Sequence, residues 1–371
     1  MAEVRIEWYI YTSKARISFM TISELLAVFI CIVALFPTLA SLTKFDQWWV
    51  RAFDFPRLQI STIIIFAVIY VSIIFSFTKY WHYILIFLLI WSFLYQAKKI
   101  YPYTIFARKQ VYRFTGKNKN TRISILVSNV LTPNKQYDKL IDLINKWDPD
   151  IILTLESDKT WQEHLDQVEY KYPYSVKIPQ DNLYGMHLYS KLAFEDMHVK
   201  YLISDEIPSI HGKVILRDGQ KINIHCLHPK PPSPTEDETS TNRDAELLLV
   251  GKEVDHADAT LVFGDLNDVA WSRTTRLFQK LSGLADPRIG RGFFNTYNAN
   301  IPVFRWPLDH VFHSLDFSLV KIKRLPSIGS DHFPFFIDLN YKTGADQLND
   351  EPEEPLDEEE EWAEEKIEKG R

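Results

Sequence analysis

Cysteine is almost missing from this chain. Two residues, Cys31 and Cys226, are all that 371 positions hold, so neither a disulfide framework nor a thiolate metal site is available. Cys31 falls in an apolar stretch and Cys226 in an expected strand, both as core or lipid-facing positions. Also absent are a Gly-rich phosphate loop, a Gly-x-Ser-x-Gly elbow and a His-Glu-x-x-His pair. P-loop nucleotide hydrolysis, serine hydrolysis and zincin chemistry therefore have no support.

Charge is missing from three runs in the first hundred residues: Leu25 to Thr43, Leu58 to Thr78 and Tyr80 to Ala97. Each is about as long as the roughly 20 residues a helix needs to cross a bilayer. Lys79 alone separates the second from the third, which predicts a tight helical hairpin. Trp48, Trp49, Tyr80, Trp81 and Tyr95 stand near the run ends, where amphipathic rings favour the membrane interface. Residues 1–97 therefore read as a membrane anchor of three transmembrane helices, at about 25–43, 58–78 and 80–97, with a buried soluble bundle as the competing reading. The first run is too long and too far from the terminus for a cleaved signal peptide. Pro37 is expected to kink it, which a membrane helix tolerates. The mean hydropathy of −0.15 averages this apolar third with a polar remainder.

Charge of one sign is missing from two further segments. Lys98 to Arg122 carries eight Lys or Arg and no Asp or Glu, so 98–121 reads as a basic linker able to meet anionic lipid headgroups. A nucleic-acid patch or a solvated connector would have the same composition. Residues 342–371 have few apolar side chains, and from Asp346 they carry 13 acidic against 3 basic residues. The formal net charge of −6 belongs to this tail, which is expected to be disordered.

Between them, residues 122–341 alternate strand and helix patterns. Strands are expected at Ile123 to Val130, Asp150 to Glu156, Lys213 to Leu216, Ile222 to Leu227, from Leu261, and at Leu308 to Phe312, Phe317 to Lys323 and Phe335 to Leu339. Helices are expected at Tyr137 to Trp147, Asn242 to Val254 and Thr274 to Leu281. Mixed strands with interleaved helices predict a single α/β sandwich domain.

Polar residues recur where these strands end. Asn129 closes the first and Glu156 the second; His228 closes the hairpin; Asp265 and Asn267 follow Leu261 to Phe263; Asp309-His310 and Asp331-His332 flank the last ones. One such residue is ordinarily a cap or a satisfied turn, but six recurrences are hard to explain that way. Carboxylates, amides and imidazoles without thiolates suit a hard cation, Mg²⁺ or Mn²⁺. The imidazoles remain to meet a phosphate or move a proton. The implied chemistry is metal-assisted attack of water on phosphorus.

Ser128-Asn129-Val130, Leu155-Glu156, Leu227-His228, Gly264-Asp265-Leu266-Asn267, Leu308-Asp309-His310 and Ser330-Asp331-His332, in that order, resemble the endonuclease/exonuclease/phosphatase superfamily. The resemblance covers roughly 121–341 and implies the DNase-type four-layered α/β sandwich. It implies Glu156 as principal metal ligand, helped by Asn129 and Asp331. Asp265 would align or deprotonate the attacking water, and Asn267 would hold the phosphate. His332, oriented by Asp309, and His228 would bind the phosphoryl oxygens. Whether Asp265 or His332 is the formal base stays open. Leu131 stands where family members often carry a further acid, so metal binding would lean on Glu156. Ser190-Lys191 is the likeness to a further family segment, but neither Lys191 nor His187 receives a role. Arg243 could reach a phosphate from its helix, but reads first as part of a solvated helix face.

The preceding spans, the Pro-rich loop after His228 and Arg305-Trp306-Pro307-Leu308-Asp309-His310 resemble a narrower bacterial branch, membrane-anchored and VanJ-like. That likeness implies a lipid-linked phosphate substrate and a multi-pass protein of the bacterial cell membrane. It also implies an extracytoplasmic catalytic domain. Lys44, Arg51, Arg57 and the basic segment on the catalytic side, against Arg5, Lys14, Arg16 and Lys79 on the other, argue for the cytoplasm by the positive-inside rule. The extracytoplasmic side is the expectation here, since long segments translocate largely regardless of charge. A nuclease, needing a broad basic surface, is the alternative enzyme. A catalytically inactive membrane-bound interaction module is the alternative outside enzymes.

Overall fold

A computed structural model describes residues 20–371 except 117, 343 and 345–347. Arg5, Lys14, Arg16 and Lys117 thus lie outside the described residues. The three apolar runs form α1 (Ile22–Leu42), α3 (Arg57–Ile74) and α4 (Tyr80–Ile100), with a short α2 (Trp48–Arg51) between the first two. All three long helices are apolar enough to cross a membrane. α1 starts earlier than expected because Thr21 and Glu24 cap it reciprocally: Glu24 N donates to Thr21 Oγ1 at 3.2 Å and Thr21 N to Glu24 Oε2 at 2.9 Å. The helix continues through Pro37. α4 takes in Lys98 and Lys99, cations that suit a helix C-terminus. The three helices meet over Ala27, Cys31, Ala34, Ile64, Ala67, Val71 and Leu89, several of them small enough for close approach.

The remainder is two sheets face to face. The strands are β1 (Arg122–Asn129), β2 (Ile151–Leu155), β3 (Tyr174–Ile178), β4 (Met186–Ser190), β5 (Ala193–Lys200), β6 (Ser209–Ile215), β7 (Lys221–Leu227), β8 (Thr260–Asp265), β9 (Asp309–His313), β10 (Phe317–Arg324) and β11 (Phe335–Tyr341). The first sheet has strand order β10-β11-β1-β2-β4-β3 and the second β5-β6-β7-β8-β9. Alternate residues such as Ile123, Ile125 and Val127 meet Ile222, Ile224 and Phe263 in the core between the sheets. The opposite face of β1 and β2, with Leu126 and Ile152, is covered by α5 (Tyr137–Trp147) and α6 (Lys159–Leu165). Val262 and Phe312 of the second sheet pack under α7 (Thr241–Glu253) and α8 (Arg273–Ser282). This is the expected four-layered α/β sandwich. The elements not expected, β3, β4, β5 and α6, crowd the stretch between Glu156 and Lys213.

Two expectations need correction. The basic segment is not a free linker: Tyr103 is buried and its hydroxyl donates to Ala270 O at 2.6 Å, and Val111 enters the inter-sheet core. Residues 112–114 run along β10, with Leu319 N donating to Tyr112 O and Phe114 N to Leu319 O, both at 2.9 Å. Its backbone groups find partners at a sheet edge that water would otherwise have to satisfy. The last part of the acidic tail is likewise ordered, as α9 (Asp357–Gly370). Trp362, Ala363 and Ile367 make one apolar face that packs on Leu248, Leu249 and Leu277. Asp357 to Glu360 occupy its first turn, where the helix dipole favours negative charge.

Candidate active site

The strand directions bring the six recurrences to one end of the sandwich. β1 and β2 are parallel neighbours, with Asn129 opposite Leu155, so Asn129 and Glu156 emerge together. β7 and β8 are also parallel, with Leu227 opposite Gly264, which places His228 beside Asp265. β9 runs the other way with Asp309 opposite Asp265. β11 runs against β1 with Phe335 opposite Val127, so His332, just before β11, arrives at the same edge. Asn129 joins the two sheets, its Nδ2 donating to Glu156 Oε1 at 2.7 Å and to Asp265 Oδ2 at 3.1 Å.

The backbone here is built for this convergence. A Cβ at Gly264 would lie 1.9 Å from Leu227 O, so only glycine lets β7 and β8 approach at the point where Asp265 leaves the sheet. Glu156 and Asn267 have φ of 58° and 50°, the left-handed region that a glutamate rarely adopts. Such strain is tolerated where surroundings over-determine it, commonly at functional sites.

His332 stands between two carboxylates. Its Nδ1 is 2.8 Å from Asp309 Oδ2 and its Nε2 is 3.4 Å from Asp265 Oδ2, and all three residues are buried. Burial works against the imidazolium, yet Asp265 and Asp309 hold the pKa of His332 up at about 10. Burial raises the Asp309 carboxyl, and the His332 charge opposes that rise. His228 is different: burial pulls its pKa down, so this ring is neutral. Asp265 Oδ1 accepts from Asn267 N at 3.0 Å, and Asn267 Nδ2 donates to Pro229 O at 3.0 Å.

Glu156 carries the clearest sign of a cation site. Oε1 accepts from Asn129, but Oε2 is buried without a partner. Burial pushes the carboxyl up to about 7, partly offset by the Asn129 hydrogen bond. With Asp331 in the same cavity, Glu156 offers hard oxygen donors that fit a divalent cation. Asn129 departs from its expected role as metal ligand. Its oxygen accepts from Leu131 N at 3.1 Å and its NH₂ group faces the carboxylates, so here it bridges Glu156 and Asp265. Asp265, Asp309 and His332 also lie close enough to one another to hold a metal. Both ring nitrogens of His332 already face carboxylates, so this trio reads as an acid–base relay.

The cavity over these groups holds about 290 Å³. Glu156, His228, Ser233, Glu236, Asp265, Asn267, Asp331 and His332 are its polar lining; Phe55, Leu183, Pro231, Pro232 and Leu308 are its apolar lining, together with Tyr184 and Tyr297.

Several side chains stand elsewhere than the sequence suggested. Arg243 is buried, not solvated. It pairs with Asp244 at 2.8 Å and Asp268 at 3.5 Å, and donates to Asn267 O at 2.9 Å. Asp268, missed in the sequence, also accepts from Ser272 and Thr275 hydroxyls, so it anchors the loop after β8. The sequence did offer a signal, a third carboxamide or carboxylate within four residues. His310 lies behind the site, between Asp268 O at 2.9 Å and the Arg288 guanidinium at 2.6 Å, and is held neutral by burial and Arg288. Thr296 Oγ1 accepts from Leu308 N at 3.3 Å and Asp309 N at 3.1 Å and had no local signature. His187 is buried in the first sheet and Lys191 pairs with Asp148 at 2.7 Å; neither lines the cavity.

Residues 126–332 match the model of the Endonuclease/Exonuclease/phosphatase family. No curated protein sequence matches the chain. Among solved structures, D. rerio TDP2 complexed with single strand DNA product is 17% identical, with a TM-score of 0.50, over 59% of this chain and 99% of that one. The human Nocturnin catalytic domain with bound sulfate anion is 16% identical, with a TM-score of 0.48, over 61% and 97%. An endonuclease/exonuclease/phosphatase from Beutenbergia cavernae is 17% identical, with a TM-score of 0.45, over 60% and 72%. At 17% identity the likeness to the first of these is one of fold.

Proposed function

The chain belongs to the endonuclease/exonuclease/phosphatase family, and from that premise we propose that it is a membrane-anchored phosphoester hydrolase dependent on Mg²⁺ or Mn²⁺. The observation that carries the proposal is the buried, unpartnered Oε2 of Glu156 in the same cavity as the His332 relay. A buried carboxylate oxygen is costly unless paired or ligating, and Glu156 and Asp331 would hold the cation. Bound there, it would offset charge on a phosphoryl oxygen.

The remaining chemistry falls to the chain's own residues. Asp265, oriented by the Asn267 N–H and by Asn129, is placed to take a proton from the attacking water. His332 is already protonated at neutral pH, so it would offer charge to the phosphoryl oxygens rather than abstract a proton. Neutral His228 and the second N–H of Asn267 would bind the other oxygens. The bond cut would be a phosphodiester, phosphomonoester or pyrophosphate, with a lipid-linked phosphate favoured by the three apolar helices attached to the domain. The same helices support the membrane-anchored, VanJ-like reading, which carries with it a catalytic domain outside the cytoplasm. A nuclease reading has less support, because no Lys or Arg among the described residues lines the cavity.

The test is turnover of bis(4-nitrophenyl) phosphate by the full chain in detergent, with and without Mg²⁺, beside plasmid DNA. Metal-dependent diester hydrolysis that Asp265→Ala removes is expected. Metal-independent turnover, or DNA cleavage as the dominant activity, would overturn the proposal.

A further inference from the structure

We infer that the membrane anchor supplies the specificity wall of the active site, and that Phe55 selects substrates whose phosphate carries a long apolar chain. The inference rests on the hydrolase and membrane readings above and assigns a residue outside the family's matched segment, which begins at 126.

Phe55 lies in the connection between α2 and α3, two residues before α3, the second membrane-length helix of the anchor, begins at Arg57. It nevertheless lines the same cavity as Glu156, Asp265 and His332. Its position is held firmly. Trp271 Nε1, from the loop after β8, donates to Asp54 O at 2.7 Å, and the Asp54 carboxylate is paired with Arg51 at 3.2 Å and Arg57 at 2.5 Å. From Phe55 a chain of rings leads inward: Trp306 edge-on at 5.6 Å, Tyr297 stacked on Trp306 at 6.2 Å, and His332 at 4.9 Å from Tyr297. Phe55 is only half-buried, so part of its ring faces the cavity rather than a packed core.

The cavity is amphiphilic. Glu156, Asp265 and His332 line its catalytic side, Glu236 stands on the Pro-rich loop, and the apolar lining includes Phe55, two residues from a membrane-length helix. Alongside, Gln59 on the first turns of α3 donates through Nε2 to Val303 O at 2.6 Å. That bond holds the 300–304 loop next to the helix start, with Ile301, Val303 and Phe304 exposed by 48%, 67% and 48%. Three adjoining exposed apolar side chains on a loop tied to a membrane helix belong at the bilayer surface. A ligand that leaves the catalytic carboxylates along Phe55 would, on this reading, approach the bilayer rather than open water. A phosphate bearing an alkyl or prenyl chain fits this path; a nucleotide chain, charged at every unit, does not.

The experiment uses full-length protein in nanodiscs and two diesters with the same leaving group, 4-nitrophenyl ethyl phosphate and 4-nitrophenyl hexadecyl phosphate, on the wild type, Phe55→Ala and Phe55→Leu. Phe55→Ala should lower kcat/KM for the hexadecyl diester about tenfold or more, the scale of losing an apolar contact to substrate. It should change the ethyl diester less than about twofold, and Phe55→Leu should retain most of the preference. Equal loss on both substrates would reduce Phe55 to a packing residue, and no loss on either would remove it from the site; both outcomes overturn the inference. Wild-type turnover of the ethyl diester reports the hydrolase reading separately. Should it fail, equilibrium binding of hexadecylphosphonate against ethylphosphonate to the same three proteins decides: an unchanged ratio in Phe55→Ala sinks the inference.

Discussion

Nδ1 of His332 lies 2.8 Å from Oδ2 of Asp309, a pair separated by 23 residues and buried at the mouth of the sandwich. With Asp265 on the other side of the ring, the arrangement stabilises an imidazolium. It thereby assigns the two histidines of the site opposite protonation states, His332 charged and His228 neutral.

Asp309→Asn should bring the pKa of His332 down from about 10 toward its ordinary value and move the alkaline limb of the pH–rate profile down with it. His332→Ala should lose about 10² to 10⁴ in rate. The stability sign follows: a folded pKa raised above an unfolded value of about 6.5 adds stability that is complete below that value and lost as pH rises through about 10. The Tm advantage of wild type over His332→Gln should therefore shrink between pH 7 and 10. An alkaline limb that does not move in Asp309→Asn would sink the relay.

Glu156 should behave in the opposite region. Its folded pKa of about 7 lies above the ordinary 4.5, so it contributes stability below pH 4.5 that is lost as pH rises through 7. Metal-free wild type should thus lose Tm from pH 5 to 8, and Glu156→Gln should lose less. Added Mg²⁺ should restore the wild type alone. Titrating Mg²⁺ against rate checks the same role: an unchanged half-saturation in Glu156→Gln would place the metal elsewhere.

Lys366 on α9 is buried and ion-paired with Asp46 of the anchor connection and, at 3.6 Å, with Asp244, the partner of Arg243. Lys366→Met should leave the half-buried Asp46 without its cation and the buried Asp244 with Arg243 alone, a loss of roughly 1 to 3 kcal/mol, and Lys366→Arg should recover most of it. Limited proteolysis gives the local readout: the 43–57 connection should become cleavable when residues 356–371 are deleted. Unchanged resistance would show that α9 does not clamp the anchor.

Membrane side can be read with alkaline phosphatase, which is active only outside the cytoplasm. The fusion belongs after Arg371, because a junction after Asn340 would remove α9 from α7 and α8. An active fusion is expected; a full-length but inactive one would place the catalytic domain in the cytoplasm.

Much of this protein was legible locally. Apolar runs without charge report membrane-length helices because nothing else buries 18 or more such residues so continuously. Alternating strands report a sandwich, and the residues at their ends report the site, because a strand's last side chain emerges at a sheet edge whatever the rest of the chain does. β3 escaped notice as a half-exposed edge strand with a weak alternation. α9 escaped because its three apolar residues acquire meaning only against α7 and α8. Whether Arg243 meets water or Asp268, whether the amide of Asn129 turns its oxygen or its nitrogen to the carboxylates, and whether Phe55 reaches the cavity were decided by tertiary structure. So was the charge on His332. Each depends on burial and on partners tens to hundreds of residues away, and distance along the chain carries no information about either.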